Sequence, residues 1–129
     1  MPLGFPALTR ALKLQKRAAR AGFDWGAAAP VLVKLREELG ELEAALAEGA
    51  PESEAELELG DLLFTVVNLA RHLRLDPEAA LRATNAKFER RFRRIEALAT
   101  GQGRAAGELG LAELEALWEQ AKAEERAGG

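Results

Sequence analysis

The sequence predicts an all-α protein, an antiparallel helical bundle of four core helices with a fifth, C-terminal helix. Long stretches rich in Ala, Leu, Glu and Arg, all good helix formers, run between a few glycine and proline positions. Within those stretches apolar residues recur at spacings of three and four. No alternating run of β-branched residues is present, so no strand is expected. A length of 129 residues suits one domain, taken as residues 1–129.

Five helices are expected, at 6–21, 30–48, 53–74, 77–99 and 110–126. The second carries Leu32, Leu35, Leu39, Leu42 and Leu46 as an apolar stripe. The third is apolar nearly all round from Leu62 to Leu73, which predicts a central position or one shared with a second subunit. Asp76-Pro77-Glu78 opens the fourth with an N-cap acid, a proline at the first helical position and an acid in the first turn. Its stripe is Leu81, Thr84, Phe88, Phe92 and Ile95, and the fifth helix follows with Leu111, Leu114, Leu117 and Trp118. Short connections between helices two, three and four favour antiparallel neighbours.

Composition narrows the function. There is no cysteine, which rules out disulfides and thiolate metal sites and suits a reducing cytoplasm, the expected location. No apolar run is long enough to span a bilayer, and Met1-Pro-Leu-Gly-Phe-Pro6 lacks the basic and apolar regions of a signal peptide. The net charge of −3 disfavours nucleic acid as a partner. The charge is nevertheless uneven. Residues 37–61 are strongly acidic, whereas residues 82–94 hold five Arg and one Lys.

The acids carry the chemistry. Glu38 and Glu41 lie three residues apart on one face of the second helix, bordering the leucine stripe. Glu58 and Asp61 repeat that spacing on the third helix, beside its apolar run. An antiparallel pair joined by a short loop brings the two sets together, and four carboxylates near a core repel unless a cation cancels their charge. A hard divalent ion such as Mg²⁺ takes oxygen ligands and leaves positions for phosphates. A di-iron bundle would need Glu-x-x-His pairs, yet the lone histidine, His72, follows Leu69 at that spacing. Zinc would need His or Cys ligands, and neither a calcium loop nor a Gly-rich phosphate loop is present. Lys87 and Arg91, four residues apart, share a face that suits a polyphosphate. For Trp118, base stacking and core or dimer packing both remain open. His72 reads as a helix-end residue without a catalytic role.

Glu37-Glu38-Leu39-Gly40-Glu41 followed by Glu58-Leu59-Gly60-Asp61-Leu62-Leu63-Phe64 resembles the Glu-Glu-x-x-Glu … Glu-x-x-Asp pattern of the MazG family of all-α nucleoside triphosphate pyrophosphohydrolases. Asn85-Ala-Lys-Phe-Glu-Arg-Arg-Phe92, Gln15-Lys16-Arg17, Gly22-Phe-Asp-Trp25 and Leu117-Trp-Glu-Gln-Ala-Lys122 extend the likeness over about residues 7–125. The resemblance implies Mg²⁺-dependent hydrolysis of ribo- or deoxyribonucleoside triphosphates to the monophosphate and pyrophosphate, with Mn²⁺ as a substitute ion. It implies metal ligation by Glu38, Glu41, Glu58 and Asp61, and catalytic roles for Glu37, Glu38 and Glu41. Lys34, Glu37, Lys87, Arg91 and Trp118 fall where the family contacts nucleotide, with Asn85, Lys122 and Trp25 as weaker carry-overs. It also implies a homodimer. Two-unit relatives carry such domains in tandem, and this chain is most like the second unit. Gly40 departs from the pattern, at roughly 1 kcal/mol of helix propensity relative to Ala, without removing a ligand. The competing reading is a dimeric helical module that binds nucleotide or protein without hydrolysis.

Overall fold

A computed structural model describes residues 6–128. The opening segment read as lacking a signal peptide lies, for residues 1–5, outside them. Among the described residues the chain is helical throughout, with no strand: α1 (Ala7–Arg20), α2 (Ala28–Ala47), α3 (Glu52–His72), α4 (Pro77–Gly101), a 3₁₀ turn (Ala106–Glu108) and α5 (Leu111–Gly128). The all-α class therefore holds, and each helix lies where the periodicity puts it, to within a few residues. α2 starts two residues before the expected position. Pro30 is its third residue, where the first turn has no N–H partner to lose.

The chain forms two compact units, divided after Ala80. In the first, α2 and α3 pack along one another and α1 packs on α3. Gly49 makes the hairpin between α2 and α3. At φ 69° it adopts the left-handed conformation, and Ala50 N–H then reaches back to the Ala45 carbonyl at 3.0 Å. Arg74 makes the same C-terminal turn at φ 60° after α3, with Leu75 N–H on the Ala70 carbonyl at 2.9 Å. A side chain in that conformation costs about 1 kcal/mol that glycine would avoid.

The buried face of α2 is not the leucine stripe alone. Its buried residues are Val31, Glu38 and Ala45, spaced by sevens, while Leu32, Leu39 and Leu46 are exposed. Glu38 thus occupies a core position between two apolar ones. α3 buries Thr65, Val67 and Asn68, and leaves Leu57, Leu59, Leu63, Phe64 and Val66 exposed. In the second unit Ile95, Ala99, Leu109 and Leu117 form the core, with Leu98, Leu114 and Trp118 against it. Leu81, Phe88 and Phe92 of the predicted α4 stripe are exposed.

Candidate metal and nucleotide site

The α2–α3 hairpin brings three of the four predicted ligands together. One carboxylate oxygen from each of Glu38, Glu58 and Asp61 lies within 4.8 Å of the others. Glu38 is buried, Glu58 half-buried and Asp61 exposed, so the trio grades from core to solvent. Glu41, one turn beyond Glu38, is exposed and stands outside the trio, though its charge acts on Glu58.

Two features make this cluster unusual for a helix pair. The Oε2 atoms of Glu38 and Glu58 are both buried without a hydrogen-bond partner among the described residues. Buried acceptors are nearly always paired, so each unmet oxygen requires an explanation. Burial also pushes the Glu58 carboxyl above its ordinary value, and the charges of Glu41, Asp61, Glu38 and Glu54 push it further. Lys34 brings a cation to these acids, its Nζ 3.2 Å from Glu38 Oε1 and 3.8 Å from Glu37 Oε2. The hydrogen bond and charge of Glu38 raise the Lys34 ammonium above its usual range. An all-oxygen donor set with two unmet oxygens fits a hard divalent cation.

Of the remaining predicted residues, Trp25 is exposed in the α1–α2 connection of the first unit, and the others belong to the second. Asn85 and Lys87 are exposed on α4, and Lys122 is half-buried on α5. Arg91 is held from two sides. Its guanidinium sits 5.1 Å from the Trp118 ring centroid, and its Nε donates to Glu125 Oε2 at 3.1 Å. Arg90 donates to the other oxygen of Glu125, and Arg94 pairs with Glu124 through two hydrogen bonds. Burial opposes ionisation of Glu125, but Arg91 and Arg90 hold its carboxyl below the usual range. Trp118 also meets Phe88 at 5.6 Å between centroids. One face of the indole is therefore taken by a cation, an arrangement that spacing alone did not reveal.

Sequence reasoning passed over a second polar grouping, at the far end of α3. Asp24, between α1 and α2, takes hydrogen bonds from Arg71 and has His72 Nε2 at 2.9 Å. Asn68 Oδ1 accepts from the same arginine at 2.8 and 3.2 Å. The hydrogen bonds from Arg71, more than any other influence, hold Asp24 far below the usual carboxylate range. A polar Asn inside the apolar run Val66-Val67-Asn68-Leu69 was the available signal.

The profile of the MazG nucleotide pyrophosphohydrolase domain matches residues 29–95, more than half of the chain. The chain belongs to the MazG family. That match contains the whole α2–α3 acid cluster together with Lys87 and Arg91. A nucleoside triphosphate pyrophosphohydrolase of Escherichia coli strain K12 is 43% identical over 126 residues, covering 97% of this chain and 48% of the relative. The nucleoside triphosphate pyrophosphohydrolase/pyrophosphatase MazG of Thermotoga maritima is 44% identical over 117 residues, 91% of this chain and 44% of the relative. The uncharacterized protein YabN of Bacillus subtilis strain 168 is 41% identical over 126 residues, 26% of its length. The MazG domain described here thus spans about half or less of the curated relatives it matches.

Proposed function

We propose that this MazG domain hydrolyses nucleoside triphosphates, ribo or deoxyribo, to the monophosphate and pyrophosphate, with Mg²⁺ as its ion and Mn²⁺ as a substitute. The observation that carries this reading is the pair of unmet buried oxygens on Glu38 and Glu58, with Asp61 beside them. Glu38, Glu58 and Asp61 would hold the ion, and Glu41, one turn on, would complete the set. When bound, the ion supplies charge neutralisation at the phosphate oxygens and a more acidic water.

The protein's own groups do the rest. Lys34 fixes one oxygen of Glu38 and leaves the other for the ion. Glu37 and Glu41 flank the buried Glu38 on its solvent side, and either is placed to take a proton from the attacking water. Lys87 and Arg91 supply cations for the polyphosphate, the first as a point charge and the second as a planar fork. Trp118 keeps Arg91 in position by packing over it. Asn85 and Lys122 are assigned as further substrate contacts on the strength of the family pattern.

The exposed apolar side chains of α3, Leu57, Leu59, Leu63, Phe64 and Val66, support a homodimer, since a patch of this kind on one helix is otherwise an aggregation hazard. The net charge of −3 supports the absence of a nucleic-acid role. No helix among the described residues is long and apolar enough to cross a membrane. A cytoplasmic location goes with this reading, where nucleoside triphosphates are held.

The test is pyrophosphate release from a panel of ribo- and deoxyribonucleoside triphosphates, with Mg²⁺ and with EDTA. Metal-dependent release with the monophosphate as co-product is expected. A folded protein with Mg²⁺ that releases pyrophosphate from none of them would leave only the non-catalytic binding module.

A further inference from the structure

Arg90, Arg91 and Arg94 of α4 all reach glutamates of α5, but not in the same way. Arg94 spends its guanidinium on Glu124, donating from Nε at 2.6 Å and from a terminal nitrogen at 3.1 Å. That two-pronged pair cancels its own charge. Arg91 donates from Nε alone, to Glu125 Oε2 at 3.1 Å, and its terminal nitrogens have no hydrogen-bond partner among the described residues. Its side chain is nonetheless only 13% exposed, a low figure for an arginine with most of its donors unspent.

Glu125 holds Arg91 in this state. Its other oxygen accepts from Arg90 Nε at 3.2 Å, so the carboxylate is pinned from both sides. Trp118 packs against the guanidinium, with 5.1 Å from ring centroid to Cζ, and Phe88 backs the indole at 5.6 Å. One edge and one face of a planar cation are thereby fixed, which sets the direction of every remaining N–H. What remains is the pair of terminal nitrogens, an edge that can grip two oxygens of one phosphate. The charges agree with this use. Two guanidiniums share the Glu125 carboxylate, so a surplus positive charge stays with Arg90 and Arg91, whereas Arg94 and Glu124 cancel.

We propose that Glu125 is a positioning residue of this MazG domain: it takes the Nε edge of Arg91 so that the terminal edge is presented, already oriented, to the polyphosphate of a nucleoside triphosphate. This rests on the reading of Arg91 as a polyphosphate contact. An arginine without such an anchor has to be ordered by the substrate, and the side-chain freedom lost then weakens binding. Glu125 touches no substrate in this scheme. It acts through Arg91, and Arg90 acts through Glu125. A glutamate near a phosphate site would by itself repel a polyanion, and the two arginines cancel that repulsion.

The experiment uses the full chain and separates the acceptor of Glu125 from its charge. Glu125→Gln removes the charge and keeps an oxygen for Arg91 Nε, whereas Glu125→Ala removes both. Affinity for inorganic tripolyphosphate in EDTA, by titration calorimetry, reads the cations without the metal or the reaction. Glu125→Ala should bind about tenfold more weakly than Glu125→Gln, and its kcat/KM for triphosphates with Mg²⁺ should fall by a similar factor. In an Arg91→Lys background the two variants should differ by less than about twofold, because Glu125 then has no Nε to anchor, whereas a merely structural role would cost the same in both backgrounds. Glu125 lies in the last turn of α5, where substitution is least disruptive. Glu125→Asp, which keeps the charge and withdraws the acceptor, carries the same test where Glu125→Ala fails to fold. Equal tripolyphosphate binding by the Gln and Ala variants would overturn the proposal, as would a wild-type protein that binds no tripolyphosphate. Binding by Glu125→Ala tighter than wild type would overturn it too, and make Glu125 a competitor of the phosphates. A wild type that binds tripolyphosphate and shows the difference between the two variants, yet releases no pyrophosphate with Mg²⁺, would keep Glu125 in its role and overturn the hydrolytic reading alone.

Discussion

Asp24 is surrounded by donors, whereas Glu38, Glu58 and Asp61 face mainly one another. Both groupings lie in the same helical unit, the acids against the first half of α3 and the Asp24 clasp at its C-terminal end. Arg71 and His72 close on Asp24 and hold it ionised, so it ties the α1–α2 connection to the end of α3. The trio has Lys34 on one oxygen and two buried oxygens with no partner among the described residues. Glu58 is pushed the opposite way from Asp24, toward its neutral form. Identical chemical groups thus serve opposite ends. A carboxylate given its partners by the fold is structural, and one denied them awaits a ligand from outside.

The comparison breaks most sharply at catalysis. Charge stabilisation by a bound ion is worth several kcal/mol in the transition state. Glu38→Gln, Asp61→Ala, or EDTA on the wild-type protein should therefore each cut pyrophosphate release by about a thousandfold or more. Asp24→Asn should leave measurable turnover. Wild-type rates from Glu38→Gln would remove the trio from the mechanism.

Thermal melting of the metal-free protein should separate the two groupings by sign. Glu58→Gln relieves an uncompensated carboxylate and should raise the midpoint by a few degrees. Asp24→Asn strips Arg71 and His72 of their acceptor and should lower it by a few degrees. Excess Mg²⁺ should stabilise the wild type and leave Glu58→Gln nearly unmoved. A drop in the metal-free midpoint of Glu58→Gln would mean that its carboxylate already has its partners.

These contrasts also mark how far sequence carried the argument. All five helices follow from apolar periodicity and from the Gly and Pro positions, because those signals are local. The pairing of Glu38 with Glu58 and Asp61 followed from a short hairpin between two faces of known phase. Which acid would be buried did not, because Leu39 and Leu42 drew the apparent stripe toward one side while α2 in fact turns Val31, Glu38 and Ala45 inward. Asp24 with Arg71 and Gln15 with Phe64 are 47 and 49 residues apart, and no local pattern specifies such contacts. The clasp of Glu125 on Arg91 is likewise a long-range contact, between α4 and α5.

Acidity should resolve the same contrast by direction. Glu58 has a raised value in the fold, so its contribution to stability is present below the ordinary 4.5 and is lost as pH rises through the raised value. Asp24 has a depressed value, so its contribution is present above the ordinary 3.8 and is lost as pH falls. In EDTA, the advantage of Glu58→Gln over wild type should grow from pH 4.5 toward neutrality. The deficit of Asp24→Asn should shrink as pH drops below 3.8. Parallel pH profiles for the two variants would show that the groupings do not differ electrostatically.

The smallest effect concerns the two partners of Asp24. Arg71 reaches both oxygens of Asp24 and also Asn68 Oδ1, whereas His72 offers one nitrogen to one oxygen. Its contribution to the lowered acidity of Asp24 is also the last in order, behind Arg71. His72→Gln should accordingly lower the melting midpoint less than Arg71→Gln does, and leave pyrophosphate release within about twofold of wild type. Equal losses from the two substitutions would mean that the clasp on Asp24 is shared, and that the only histidine of the chain anchors α3 as firmly as the arginine beside it.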